Sequence, residues 1–393
     1  MAELVDALDS KSCGSNTVRV QVPLRPPDKY FGGYPVKKAQ KEKELKKNSV
    51  KSLAISISFF LALLFLTFWL IFKDQDLGKI IDVAKSANFW WILLGLAVML
   101  GYFLIQSWNV KKILESLGEK VPLIKMLKYT LIEFFFCAMT PSASGGQPLE
   151  IYYMSKEGIS APKATLAIFI QLCGYQIAVM TLGIISVLFL PYKLPPGVFM
   201  FFTIGLLING VALLVLLSCV FLPKITQIAT QGIIKLLRKA HFKKVDQIEE
   251  KLNSGLEQYA KNAAFIKGHK KLFGIAVARV FGQITLYYIV PFCVYKAFGL
   301  TEHNLFELFA MQSVLFIATA GFPIPGSVGL SESVFLALYG SVFGAELISS
   351  AMLLNRGITF YLFVIISALI VLGNIIFLKI FTKKIQEEPT KKL

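Results

Sequence analysis

Two short stretches of this sequence hold most of the residues able to do chemistry. One runs from Pro141 to Glu150 (PSASGGQPLE), the other from Pro323 to Glu332 (PIPGSVGLSE). Both read proline, eight residues, glutamate, and they lie 182 positions apart. The first holds Ser142, Ser144, Gly145, Gly146 and Gln147; the second holds Pro325, Gly326, Ser327 and Gly329. Such residues make tight turns, and free N–H groups at the start of a helix attract anions. Taking Pro148 as the first helical residue puts Glu150 near the third position. A carboxylate there caps its own helix or, facing a cavity, holds a cationic group or a proton; Glu332 carries the same two readings. Arg279 and Arg356 are the arginines of the apolar stretches. Each is either a phosphate clamp, through the planar fork of its guanidinium, or one half of an ion pair with Glu133, Glu332 or Glu346. The histidines His241, His269 and His303 have no partners nearby in sequence, and the five cysteines form no CxxC. No metal, no cofactor and no catalytic nucleophile is expected.

The elements that carry these residues are apolar. Of 393 residues 55% are hydrophobic and 17% charged, whereas a soluble chain is about a quarter charged. The excess lies in blocks: 53–72, 89–105, 164–190, 198–222, 272–295 and 357–378. A bilayer core of about 30 Å needs about 20 apolar residues as helix, because lipid offers no partner to bare backbone. Six blocks predict six spans, since a soluble core helix rarely stays apolar on every face.

The net charge of +17 does not point to nucleic acid, because its position follows the spans. Lys37, Lys38, Lys41, Lys43, Lys46, Lys47 and Lys51 precede the first span, five lysines fall in 109–128, and eleven Lys or Arg in 223–271. The alternate connections carry few. This is the charge asymmetry of cytoplasmic loops, so both termini are expected on the cytoplasmic side of a bacterial cytoplasmic (inner) membrane. Residues 1–35 form an expected non-native or disordered extension that resembles a mistranslated transfer-RNA gene, and 36–51 a basic cytoplasmic segment. Within 223–271, apolar residues at helical spacing predict amphipathic helices on the membrane surface or under the bundle, or else a solvated connector. A basic tail, 383–393, closes the chain.

The two proline-glutamate stretches interrupt apolar runs. Residues 124–153 and 305–345 each read as helix, break, helix, and the basic flanks place the first hairpin open to the cytoplasm and the second open to the outside. The first membrane half with its connector span is 52–222, the second 272–382. The prediction is an all-α polytopic membrane protein of six full spans plus two broken-helix re-entrant hairpins in an inverted repeat. Broken helices at matching places of two inverted halves mark a transport site near the midplane. Gln171, Tyr175 and Gln176 are expected to line that interior.

The segments TPSASGGQPLEIYYM at 140–154 and PIPGSVGLSE at 323–332, with the order of spans around them, resemble the membrane domain of the lysylphosphatidylglycerol synthase/flippase family over residues 50–385. The resemblance implies a translocase that moves an aminoacylated phospholipid between leaflets. Bifunctional members carry a separate C-terminal synthase domain; this chain is expected to be a stand-alone member and not itself a lysyltransferase. The expected arrangement puts a lipid phosphate between Arg279, Arg356 and the two turns, with Glu150 and Glu332 holding a cationic headgroup or a proton. The partners expected are a membrane phospholipid, a separately encoded aminoacyl-lipid synthase and a second copy in a homodimer, with no nucleic acid. Two other readings stay open: a membrane transferase acting on lipid, and a partner subunit of a separate synthase.

Overall fold

The computed structural model describes residues 77–140, 143, 145–190, 193–222, 228, 231–232, 234, 238, 257 and 259–387. The expected first span 53–72, the extension 1–35 and both chain termini lie outside these residues. The described chain is helical throughout, with no strand among the described residues. In order it forms α1 (Leu77–Ser86), α2 (Phe89–Ser116), α3 (Leu123–Met139), α4 (Gly146–Lys156), α5 (Ala161–Phe189), α6 (Pro196–Phe221), α7 (Lys270–Ala297), α8 (Leu305–Thr319), a short 3-10 turn (Pro325–Ser327), α9 (Leu330–Arg356) and α10 (Leu362–Glu387). Local chemistry sets several starts. The Asn88 side chain accepts the Trp90 N–H at 3.0 Å to open α2. Asn304 accepts the Glu307 N–H at 3.0 Å to open α8. Prolines sit in the first turns of α5 and α6, where their missing N–H costs nothing.

Five described stretches are long and apolar enough to cross a membrane: Phe89–Ser116, Ala161–Phe189, Pro196–Phe221, Lys270–Ala297 and a run within Pro325–Asn374. Their outer faces confirm the medium. Leu207, Val211, Leu214 and Val215 of α6 are all exposed on the protein surface, as on a face that meets lipid. This is an all-α, multi-pass membrane protein.

The hairpins have the predicted helix-break-helix form, with shifted edges. At 1.5 Å per residue, α3 reaches about 26 Å and α4 about 17 Å, short of the ~30 Å a full crossing needs. In the second hairpin, α8 is 15 residues long. Its return arm ends at Gly344, whose backbone (φ 72°, ψ 166°) leaves the helix. That conformation is open to glycine and strained for any residue with a Cβ. Beyond Gly344 the chain runs on through Arg356, a π-helical stretch Gly357–Tyr361 and α10. The last span therefore begins some twelve residues before the expected 357, and Glu346 and Arg356 belong to it.

The packing maps onto itself when the halves are exchanged. α2 packs along α7, its counterpart; α5 packs on α8, and α10 on α3; α2 meets α3 as α7 meets α8. α6, the connector without a counterpart, lies against α5 and α8. Small residues permit the closest approaches. A Cβ on Gly205 of α6 would stand 1.9 Å from the Ile317 carbonyl oxygen of α8. In the lysine-rich segment after α6, residues 259–268 are helical. Tyr259, Ala263 and Ile266 are buried in one cluster with residues of α2, α5 and α7, and the Tyr259 hydroxyl donates to the Cys219 carbonyl at 3.0 Å. This part of the segment packs under the bundle rather than running free. Gly205→Val forces α6 away from α8, and thermal unfolding in detergent should show a loss of about 1–3 kcal/mol; an unchanged transition would refute the contact.

Candidate functional site

Both breaks open on one cavity of about 560 Å³ near the middle of the bundle, within the range of small-molecule sites. The first break contributes Cys137, Ala143, Gln147 and Glu150; the second contributes Gly321, Ile324, Gly326, Ser327 and Ser331. α2, α5, α6, α7 and the last span complete the wall, and Gln171, Tyr175 and Gln176 of α5 line it as their polarity in an apolar span implied. Among the described residues, each break holds a non-glycine residue in the left-handed region: Ala143 at φ 53° and Ser327 at φ 52°.

The two glutamates differ in role. α9 starts at Leu330, so Glu332 is its third residue and caps it: Glu332 Oε2 accepts the Gly329 N–H at 2.7 Å. α4 starts at Gly146, two residues before the expected Pro148, so Glu150 is its fifth residue, past the first turn where a carboxylate caps the helix start. Matched by helix start, Gly146 with Leu330, the halves are offset by 184 residues, and Ala143 then falls on Ser327. The proline-to-glutamate match at 182 is out of register with the fold by two residues.

Glu332 is also the partner of Arg356. The Arg356 Nε donates to Glu332 Oε1 at 2.7 Å, its terminal nitrogen donates to the Gly326 carbonyl at 3.1 Å, and the guanidinium lies 4.2 Å from the Phe360 ring centroid. The Tyr361 hydroxyl donates to Glu332 Oε1 at 3.3 Å. Both charges are buried, so each is tolerable only because of the other. Arg356 is on the cavity wall, and Glu332 stands behind it.

Glu150 and Glu133 are the acidic groups of the cavity wall. Glu133, on α3, accepts from the side-chain amides of Gln106 at 2.7 Å and Gln147 at 3.0 Å. Glu150 is 1% exposed, and its Oε1 has no hydrogen-bond partner. The buried Gln176 Oε1 and Asn355 Oδ1 on the same wall are likewise unpartnered. Unpartnered acceptors buried in a membrane protein are costly, and a ligand or proton that supplies N–H or O–H groups relieves that cost.

The remaining expected residues are distributed as follows. Arg279 is not in this cavity. It lies near the start of α7, its guanidinium 4.6 Å from the Trp108 ring centroid, in a separate surface pocket with Lys112, Lys267, Lys270 and Lys271. A group held between Arg279 and Arg356 is therefore not what the geometry provides. Ser142 and Ser144 lie outside the described residues. The turn N–H groups expected to hold an anion are largely used internally: Gly145 donates to Thr140 Oγ1 at 2.9 Å, and Ser327 to the Ile324 carbonyl at 3.0 Å. Gly146 is the first residue of α4, Pro325 opens the 3-10 turn, and Pro323 is exposed at its edge. Sequence reasoning passed over Gln106, Asn109, Asn209, Gln283, Gln312 and Asn355, whose signal is an amide side chain inside an apolar run.

Removing one partner of the buried pair leaves an uncompensated charge. Arg356→Ala should cost about 3–5 kcal/mol in unfolding measurements, and adding Glu332→Leu should recover most of it. A single variant as stable as the parent would show that the pair is not buried in this way.

Comparison with known proteins agrees with this architecture. A family model described as "Lysylphosphatidylglycerol synthase TM region" matches residues 52–367. The chain is 21% identical over 356 residues, 82% of its length and 88% of the relative's, to a Mycoplasma pneumoniae protein named "Uncharacterized protein MG306 homolog". It is 29% identical over 92 residues to a "UPF0104 membrane protein" of Archaeoglobus fulgidus, a match spanning 23% of this chain and 27% of that one. With the family model covering most of the chain, both hairpins included, this protein belongs to the family of lysylphosphatidylglycerol synthase TM regions.

Proposed function

We propose that this protein is a lipid translocase that passes a phospholipid headgroup from one leaflet to the other, with lysyl- or another aminoacyl-phosphatidylglycerol as the substrate class suggested by the family. The observation that carries the reading is the cavity walled by both broken helices, with the buried Glu150 on it, whose Oε1 has no hydrogen-bond partner. A soluble-type core would fill that volume with apolar side chains. A polar headgroup crossing a bilayer needs an interior that replaces its water shell, and these acceptors face that task. Glu150 and Glu133 would take the cationic part of the headgroup or a proton. Arg356, already on the wall, would exchange part of its bond to Glu332 for a phosphate oxygen. The acyl chains would remain in lipid, and rocking of the halves about the α2–α7 seam would turn the cavity from one leaflet to the other. The bacterial inner membrane fits the distribution of lysines around the spans.

The test is reconstitution in liposomes carrying a trace of lysyl-phosphatidylglycerol, phosphatidylethanolamine or phosphatidylglycerol in one leaflet, followed by the loss of headgroup from that leaflet. The protein should accelerate the movement of at least one of them, and Glu150→Gln should slow it at least about tenfold, the loss of one charged contact. Folded protein that moves none of the three lipids would remove the proposal. Transport undiminished in Glu150→Gln would keep the translocase and remove Glu150 from its site.

A further inference from the structure

A line of side chains crosses four helices and joins Arg279, outside the cavity, to Glu133 on its wall. The Arg279 guanidinium donates to Asn109 Oδ1 at 3.5 Å. The Asn109 amide donates to Gln171 Oε1 at 2.7 Å, Gln171 to Gln283 Oε1 at 2.9 Å, and Gln283 to Gln106 Oε1 at 3.0 Å. Gln106 donates to Glu133 Oε2 at 2.7 Å. Asn109, Gln171 and Gln283 are at most 5% exposed.

The order of donors and acceptors is not arbitrary. An arginine can only donate and a carboxylate can only accept. The amide nitrogen of Asn109 also donates to the Ala276 carbonyl at 3.2 Å, which fixes that amide independently. With both ends fixed, every amide between them must turn its N–H toward Glu133 and its oxygen toward Arg279. Four aligned amide dipoles in a dry interior polarise one another. Four leucines would fill the same helix seams without any polar group to satisfy, so mere packing does not account for them.

We propose that this chain is a device for Glu133: Asn109, Gln171, Gln283 and Gln106 are positioning residues that hold it as an anionic acceptor on the cavity wall, and Arg279 is their remote positive pole rather than a headgroup ligand. Tyr102, Cys137, Glu150, Tyr175, Tyr287 and Arg356 share that wall, so the charge offered to a substrate depends on whether Glu133 stays ionised among them. The inference deepens the translocase reading and takes its purpose from it, but charge in the cavity can be measured without any transport.

Cys137 supplies the probe. It lines the cavity beside Gln147, whose amide nitrogen is 3.7 Å from its sulfur. In the full chain with Cys13, Cys173, Cys219 and Cys293 replaced by alanine, the rates of Cys137 modification by a trimethylammonium and by a sulfonate methanethiosulfonate are compared. The cation should react faster, and Glu133→Gln should lower the ratio. Simple Coulomb reasoning says that removing the positive Arg279 makes the cavity more attractive to cations. The chain says the opposite: Arg279→Gln and Gln283→Leu should each lower the ratio toward that of Glu133→Gln, the double variant should lower it no further, and Arg279→Lys should keep it near the parent. A ratio that rises or stays put in Arg279→Gln overturns the proposal. If neither reagent reaches Cys137, unfolding of Arg279→Gln, Gln106→Leu and the pair decides. These two residues do not bond each other, so non-additive losses support the chain, and additive losses overturn it.

Discussion

A helix that stops inside a membrane leaves N–H and C=O groups with no water to meet them, and this fold is organised around two such stops. Groups at each stop are met from within the protein. Thr140 receives the Gly145 N–H, and Glu332 receives the Gly329 N–H. The Gly326 carbonyl is met by Arg356 from the last span. Shielding the stops from lipid requires helices on every side, which is why α5 reaches across to α8 and α10 to α3. The cavity is the space left between stops that meet but do not fill the middle.

Charge inside that space is managed in three ways. Arg356 and Glu332 neutralise each other. Glu133 is held by amides from α2 and α4, and behind Gln106 by a chain reaching α7. Among the described residues three glutamates are buried, and of these Glu150 keeps an oxygen without a partner. Such a group destabilises the resting fold, and proteins keep that kind of cost where function requires it. The wall is thus structurally committed on one side and chemically open on the other.

What could be read from the residues follows the strength of the underlying constraint. Lipid excludes charge so strongly that the spans around 89–105, 164–190, 198–222 and 272–295 stand out by hydropathy, and proline with glycine ends a helix wherever it falls, so both hairpins were visible. The subtler placements were not. Gly344 ends a helical arm through one backbone conformation, inside a run whose hydropathy does not change. Arg279 shares an apolar stretch with residues that face the cavity, but its height along α7 takes it to the lysine-rich surface. The amides Gln106, Asn109, Gln171 and Gln283 come from three helices far apart in sequence, and only packing shows that they bond one another. A turn motif fixes composition better than register, so the paired Pro–Glu pattern suggested an equivalence that the helix starts do not keep.

That two-residue slip has an angular consequence. An α-helix turns about 100° per residue, so positions two apart project about 200° from each other. Glu150 and Glu332, alike in sequence, therefore leave equivalent helices in nearly opposite directions. Glu150 lines the cavity; Glu332 does not, and bonds instead to the arginine of the last span from behind the wall. The two halves share a scaffold without sharing its chemistry, and the cavity they enclose has one acidic face instead of two.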